Sequence, residues 1–137
     1  MKIVVDTNIL VSALLNPYGP PASILRLIVE EKVIPCFDIR ILIEYREVLC
    51  RPRFNFKPAE IDALIEFVQV AGISCTGSDL NLHLTDPDDL PFAETAAAAA
   101  AEYLITGNSK HFPKKIKRTK VVTPGEFMKI WLNTSTS

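Results

Sequence analysis

Ile3-Val4-Val5 running directly into Asp6 constrains this chain more than any other stretch. Three consecutive β-branched residues are too few for a helix and suit a strand buried on both faces. Asp6 stops the run, and Thr7 and Asn8 favour a turn or a helix cap. In a parallel α/β sheet the carboxyl ends of the strands line the crevice where ligands bind. Asp6 therefore has two readings from the residues alone. It is an active-site carboxylate, or it caps the helix that starts near Asn8.

The rest of the chain alternates in the same way. A short helix over 8–15 stops at the Pro- and Gly-rich loop 16–21, and Pro21 and Ser23 introduce a helix carrying Ile24 to Val29. Residues 33–37 read as a second strand, which Pro35 makes irregular or edge-proximal. Asp38 N-caps a helix through Leu49, and Lys57-Pro58 opens an amphipathic helix that Gly72 stops. A strand over 73–76 leads through Gly77 and Ser78 to the Asp86-Pro87-Asp88-Asp89 loop. An alanine-rich helix to about Ala101 follows, then a strand over 103–106, a basic loop over 108–119, a strand at Val121-Val122 and a helix from Pro124 to about Leu132. The six alanines at 96–101 are helix formers that permit close packing on a sheet, and need no chemistry. Such alternation predicts an α/β fold, a three-layer α/β/α sandwich with a central parallel sheet. At 137 residues the chain suits a single domain, over 1–132, with a frayed polar tail over 133–137.

Several function classes drop out. No apolar run reaches membrane-spanning length, and the opening run meets Asp6 too soon for a leader peptide. Cys36, Cys50 and Cys75 are odd in number and form no CxxC pair. They read as reduced thiols of a cytoplasmic protein, with no zinc site or disulfide frame. A net charge of −1 excludes a globally basic nucleic-acid binder but leaves room for local patches.

Asp6, Asp86, Asp88 and Asp89 all fall where this topology puts its ligand crevice. Gathered carboxylates raise one another's pKa values unless a cation neutralises them, and Mg²⁺ or Mn²⁺ prefers such oxygen donors. Asp88 and Asp89 have an alternative role as N-caps, and one of the two is expected to fill it. Glu44 sits at the margin of the apolar arc formed by Ile41, Leu42, Tyr45, Val48 and Leu49, beside Val48. From there it can reach a cleft, although a solvated helix glutamate is the commoner case. The stretch from Lys110 and His111 through Lys114, Lys115, Lys117, Arg118 and Lys120 suits phosphate backbones, and equally a solvated loop.

The segments Val4-Val5-Asp6-Thr7-Asn8-Ile9-Leu10, Leu42-Ile43-Glu44-Tyr45-Arg46-Glu47-Val48-Leu49, Asp86-Pro87-Asp88-Asp89-Leu90-Pro91-Phe92 and Tyr103-Leu104-Ile105-Thr106-Gly107-Asn108 occur in the order expected of PIN domains. Within that family the chain most resembles the small prokaryotic VapC-like ribonucleases, toxin components of toxin–antitoxin systems. The resemblance implies a Mg²⁺- or Mn²⁺-dependent ribonuclease acting on RNA, a cognate antitoxin protein as partner, and a homodimer. It matches Asp6, Glu44 and Asp89 to the metal-binding catalytic carboxylates. Asp89 is preferred to Asp88 because Phe92 and Ala96 then match the family's apolar positions. Asn8, Thr106, Asn108 and Asp88 become supporting or phosphate-contacting residues, while Lys110, His111, Lys114, Lys115, Lys117 and Arg118 become RNA-binding ones. The chain departs from the pattern at Asn108, where many PIN domains carry a fourth acid. That departure implies weak binding of any second cation, and keeps open a degenerate module that holds RNA or a protein without cutting. A phosphatase of the haloacid dehalogenase type needs an aspartate where Asn8 stands.

Overall fold

The computed structural model describes residues 1–76 and 80–135, so the connection expected through Gly77 and Ser78 lies outside the described residues, as does the end of the tail. Strands β1 (Lys2–Val5), β2 (Ile34–Phe37), β3 (Ile73–Ser74), β4 (Tyr103–Ile105), β5 (Lys115–Ile116) and β6 (Thr119–Val122) form one sheet in the order β3-β2-β1-β4-β6-β5. All pairings are parallel except β5 with β6. The helices are α1 (Thr7–Leu15), α2 (Pro20–Val29), α3 (Ile39–Leu49), α4 (Pro58–Ala71), α5 (Leu90–Ala99) and α6 (Pro124–Ser135). Helix α2 packs on α1 and α6, α3 touches α1, α4 and α5, and α5 lies against β1, β2 and β4. The result is the α/β architecture expected, a mostly parallel sheet flanked by helices.

The β-branched opening run behaves as its composition dictates. Ile3, Val4 and Val5 are buried at the centre of the sheet, beside Leu104 and Ile105 of β4. Complete burial of a Val or Ile side chain contributes about 1.5–3 kcal/mol, so this pair of strands anchors the centre of the sheet. Pro35 is accommodated by strand alternation. The amide of Ile34 donates to Met1 O at 2.8 Å, so the proline nitrogen faces the other side, ahead of the point where β3 begins to pair at Cys36. Ala93 and Ala96 are wholly buried, consistent with the alanine helix packing closely on the sheet.

Several boundaries differ from expectation, among them β3, which stops at Ser74 instead of 76, and β6, which begins at Thr119 instead of Val121. Helix α5 ends at Ala99 instead of near Ala101, because Ala100 turns left-handed (φ 52°, ψ 44°) and the Ala101 amide bonds back to Ala96 O. That conformation costs a non-glycine residue about 1–2 kcal/mol. A partner distant in sequence compensates: Lys2 Nζ donates to Ala99 O at 2.5 Å. The expected basic loop instead contains a 3₁₀ turn (Ser109–His111) and an antiparallel hairpin of β5 and β6. Buried Phe112 and Ile116 pin that hairpin, and Thr119 Oγ1 donates to Ala101 O at 2.6 Å. Helix α6 continues past Leu132 to Ser135.

Candidate active site

Parallel pairing brings the carboxyl ends of β1 and β4 side by side. The Asp6 amide extends the ladder by donating to Ile105 O at 2.9 Å, and the Thr106 amide does the same to Val122 O at 3.0 Å. Asp6 and Thr106 are consequently neighbours, both buried, and Thr106 Oγ1 donates to Asp6 Oδ2 at 2.7 Å. The same hydroxyl oxygen accepts from the Asn108 amide at 3.0 Å, which fixes the Thr106-Gly107-Asn108 turn against Asp6.

Helix α3 supplies the second carboxylate. Asp38 caps it, accepting from the Ile41 amide at 3.1 Å, and the buried Tyr45 hydroxyl donates to Val5 O at 2.5 Å. That tie clamps the helix to the end of β1. One residue earlier, half-buried Glu44 reaches round the helix margin and accepts a hydrogen bond from Thr7 Oγ1. The third carboxylate comes from the turn before α5. Neither Asp88 nor Asp89 makes the side-chain cap expected of one of them. Asp86 accepts from the Asp88 amide at 2.9 Å, capping an intervening 3₁₀ turn, while Asp89 holds the N-cap position of α5 with no cap bond. Its Oδ2 is buried without a hydrogen-bond partner, and His111 Nδ1 lies 3.8 Å from it.

These groups share one polar cleft of about 260 Å³, walled by Asp6, Glu44, Asp86, Asp88 and Asp89, with Asn8, Asn108, His111 and Arg51 among its other lining residues. The carboxylates disturb one another. Burial pushes the Asp6 pKa up against the lowering bonds from Thr106 and Thr7, and Asp86 adds to the rise. Burial likewise raises Glu44, opposed by Thr7 and reinforced by Asp6. Asp89 is driven from 3.8 up to about 6 by burial and then by Asp6. A carboxyl whose folded pKa lies above its unfolded one holds a proton that the unfolded chain has already released. Stability is therefore full below the unfolded value and is lost as pH rises through the folded one. Metal-free protein should lose stability between about pH 4 and pH 6, and Asp89→Asn should flatten that slope and raise the melting temperature at pH 7 by a few degrees. Thermal scans in EDTA across this range check it.

The donor set is wholly oxygen, the kind hard divalent ions take. Among the described residues no three acidic, imidazole or thiol groups converge tightly enough to enclose an ion unaided. Mg²⁺ does not require that, since it keeps several waters and is held through one or two carboxylates. The partnerless Oδ2 of Asp89, a residue that lines the same cleft as Asp6, fits such an ion.

The basic stretch is not one patch. His111 lines the acidic cleft, whereas Lys110, Lys114 and Lys115 line a separate basin with Lys120, and Lys117 and Arg118 line a third hollow beside Ala97 and Ala100. Asp86 lines the cleft as its loop position predicts, whereas Thr7 and Arg51 belong to it without having been singled out as site residues. Thr7 was legible as a hydroxyl next to Asp6. Arg51 carried no signal, because a cation after a helix end reads as a solvated cap.

Residues 2–110 match the family model described as PIN domain. The uncharacterized protein MJ1680 of Methanocaldococcus jannaschii is 30% identical over 141 residues, which cover 93% of this chain and 90% of that protein. Among solved structures, the fold is similar to the crystal structure of VapBC2 from Rickettsia felis bound to a DNA fragment from their promoter. The TM-score is 0.56 at 17% identity, covering 90% of this chain and 98% of that one.

Proposed function

Because the chain belongs to the PIN domain family, we propose that it is a divalent-metal-dependent endoribonuclease, hydrolysing RNA phosphodiester bonds with Mg²⁺ or Mn²⁺. The observation that carries this reading is the partnerless, buried Asp89 Oδ2 in a cleft it shares with Asp6 and Glu44. Asp6 and Asp89 would hold the metal, with Glu44 completing the set directly or through a water. A bound divalent ion supplies phosphoryl polarisation and a water of lowered pKa. Thr106 keeps one Asp6 oxygen oriented, and Thr7 does so for Glu44, so each carboxylate presents a defined edge to the cleft. Asn8 and Asn108 offer amides to phosphate oxygens. The fold likeness to a VapBC2 structure supports a toxin role with an antitoxin partner; homodimer formation and a cytoplasmic location complete the proposal.

Cleavage of single-stranded RNA should be abolished by EDTA and restored by Mn²⁺, followed on a fluorescently labelled oligonucleotide. Undiminished cleavage in EDTA sinks the metal-dependent reading. Asn108, which adds no charge to the cleft, favours a second reading, a module that binds without cutting. RNA retention with no turnover at any divalent ion would establish it.

A further inference from the structure

The acidic cleft does not end at its carboxylates. On the α3 side it opens into a trough of about 420 Å³ that shares Glu44, Val48, Arg51 and Asp88 with it. On the other side the 3₁₀ turn Ser109–His111 forms a partition. Asn108 and His111 face the cleft, while Ser109, Lys110 and Phe112 face the lysine basin, of about 730 Å³, completed by Lys114, Lys115 and Lys120. A polyanion leaving the cleft thus meets Arg51 on the α3 side, set among Glu44, Glu47 and Asp88, and a group of lysines on the other.

The two arginines that line this trough differ in availability. Arg40 is committed: its guanidinium donates to Asp38 at 2.6 and 2.8 Å and to Glu94 at 2.8 Å, both of them buried acids. Arg51 is exposed and makes no ion pair among the described residues, although it lines a cleft with five carboxylates. An exposed guanidinium beside a carboxylate cluster repays a ligand that brings its own negative charge, since Arg grips phosphate oxygens bidentately. The lysine basin is the complementary kind of surface, with point charges on flexible stems that follow a backbone without fixing its geometry.

We infer that a single polynucleotide strand runs from Arg51, across the acidic cleft, over the Ser109–His111 turn and into the lysine basin. Arg51 grips the phosphate on one side of the reacting bond, and Lys114, Lys115 and Lys120 contact phosphates on the other. This rests on the nuclease reading given above and assigns the strand a path and Arg51 a role. Lys117 and Arg118, in the hollow beside Ala97, lie off that path.

The test measures binding of a labelled single-stranded RNA dodecamer, and of DNA of the same sequence, by fluorescence anisotropy with Ca²⁺ over a salt series. Cleavage of both is followed with Mn²⁺. Each phosphate contact to a single strand contributes about 0.7 to the slope of log affinity against log salt. Arg51→Ala should weaken binding about tenfold, reduce the slope by about 0.7, and raise KM while kcat stays within about threefold. Arg51→Lys should keep the slope and recover part of the affinity. Replacing Lys114, Lys115 and Lys120 together by alanine should reduce the slope by about 2. Lys32→Ala, a charge loss at the opposite end of the sheet just before β2, is the control. If wild-type protein cuts RNA while Arg51→Ala keeps the slope and KM of that control, the path is wrong and the nuclease reading stands. If wild type neither binds nor cuts RNA, the nuclease reading falls and the path with it. DNA bound with the same slope but left uncut assigns the track to backbone phosphates and the choice of RNA to the cleft.

Discussion

Asp6→Asn should reduce RNA cleavage by more than about a hundredfold while the protein remains folded and melts no lower than wild type in metal-free buffer. Two effects separate in this one substitution. The catalytic loss follows from removing charge where a divalent ion would sit, since an amide oxygen is a dipole and not an ion. The preserved fold follows from local bonding. Asn108's amide already donates to Thr106 Oγ1, and that hydroxyl can also accept from the new side-chain amide, leaving the asparagine oxygen for the Thr7 side. The buried Asp6 carboxyl has its pKa raised chiefly by burial, so its ionised form destabilises the native state at neutral pH, and removing that charge relieves the cluster. Turnover on the labelled oligonucleotide and a melting scan of the same preparation read both. A folded Asp6→Asn protein with near wild-type turnover removes Asp6 from the chemistry.

Gly72→Ala carries the largest stability effect. The sequence marks Gly72 as the stop of α4, which suggests a left-handed cap, yet its backbone is extended at φ −98° and ψ −173°. Conformational freedom is not what requires glycine here. A Cβ at this position would lie 2.4 Å from Pro35 O, 2.6 Å from Val68 O and 2.9 Å from the Phe37 ring. Two of those neighbours are backbone, in α4 and β2, and cannot swing aside as a side chain would. Overpacking of this kind costs typically about 1–3 kcal/mol, and with two backbone contacts the upper part of that range applies. The melting temperature should fall by about 10 °C. Turnover per folded molecule at low temperature should not change, because Gly72 lies away from the cleft. A shift within a degree or two of wild type would mean that α4 can slide relative to β2.

What could be read in advance divides along physical lines. Patterns that depend on neighbours in sequence were legible: the buried opening run, and the helical margin from which Glu44 can reach the cleft. Features decided by distant partners were not. The β5–β6 hairpin is written in lysines and arginine, and it becomes a hairpin because Phe112, Ile116 and Thr119 are buried against the body of the fold. The early end of α5 at Ala99 has no glycine to announce it and depends on Lys2, 97 residues away. The division of the basic stretch among three surfaces, and the availability of Arg51 beside the committed Arg40, are facts of three-dimensional placement. No spacing rule contains them.

Both outer strands of the sheet are two residues long, Ile73–Ser74 on one flank and Lys115–Ile116 on the other. An open flank with a long run of unpaired amides and carbonyls is a template on which a foreign strand can dock, and so a route to aggregation. Here each flank offers at most a bond or two, and the β5 flank presents Lys115 with Lys114 and Lys117 close by. Strand addition to such an edge gains little backbone bonding and meets positive charge. Among the described residues, brevity at both flanks and positive charge at the β5 flank oppose sheet-to-sheet fusion.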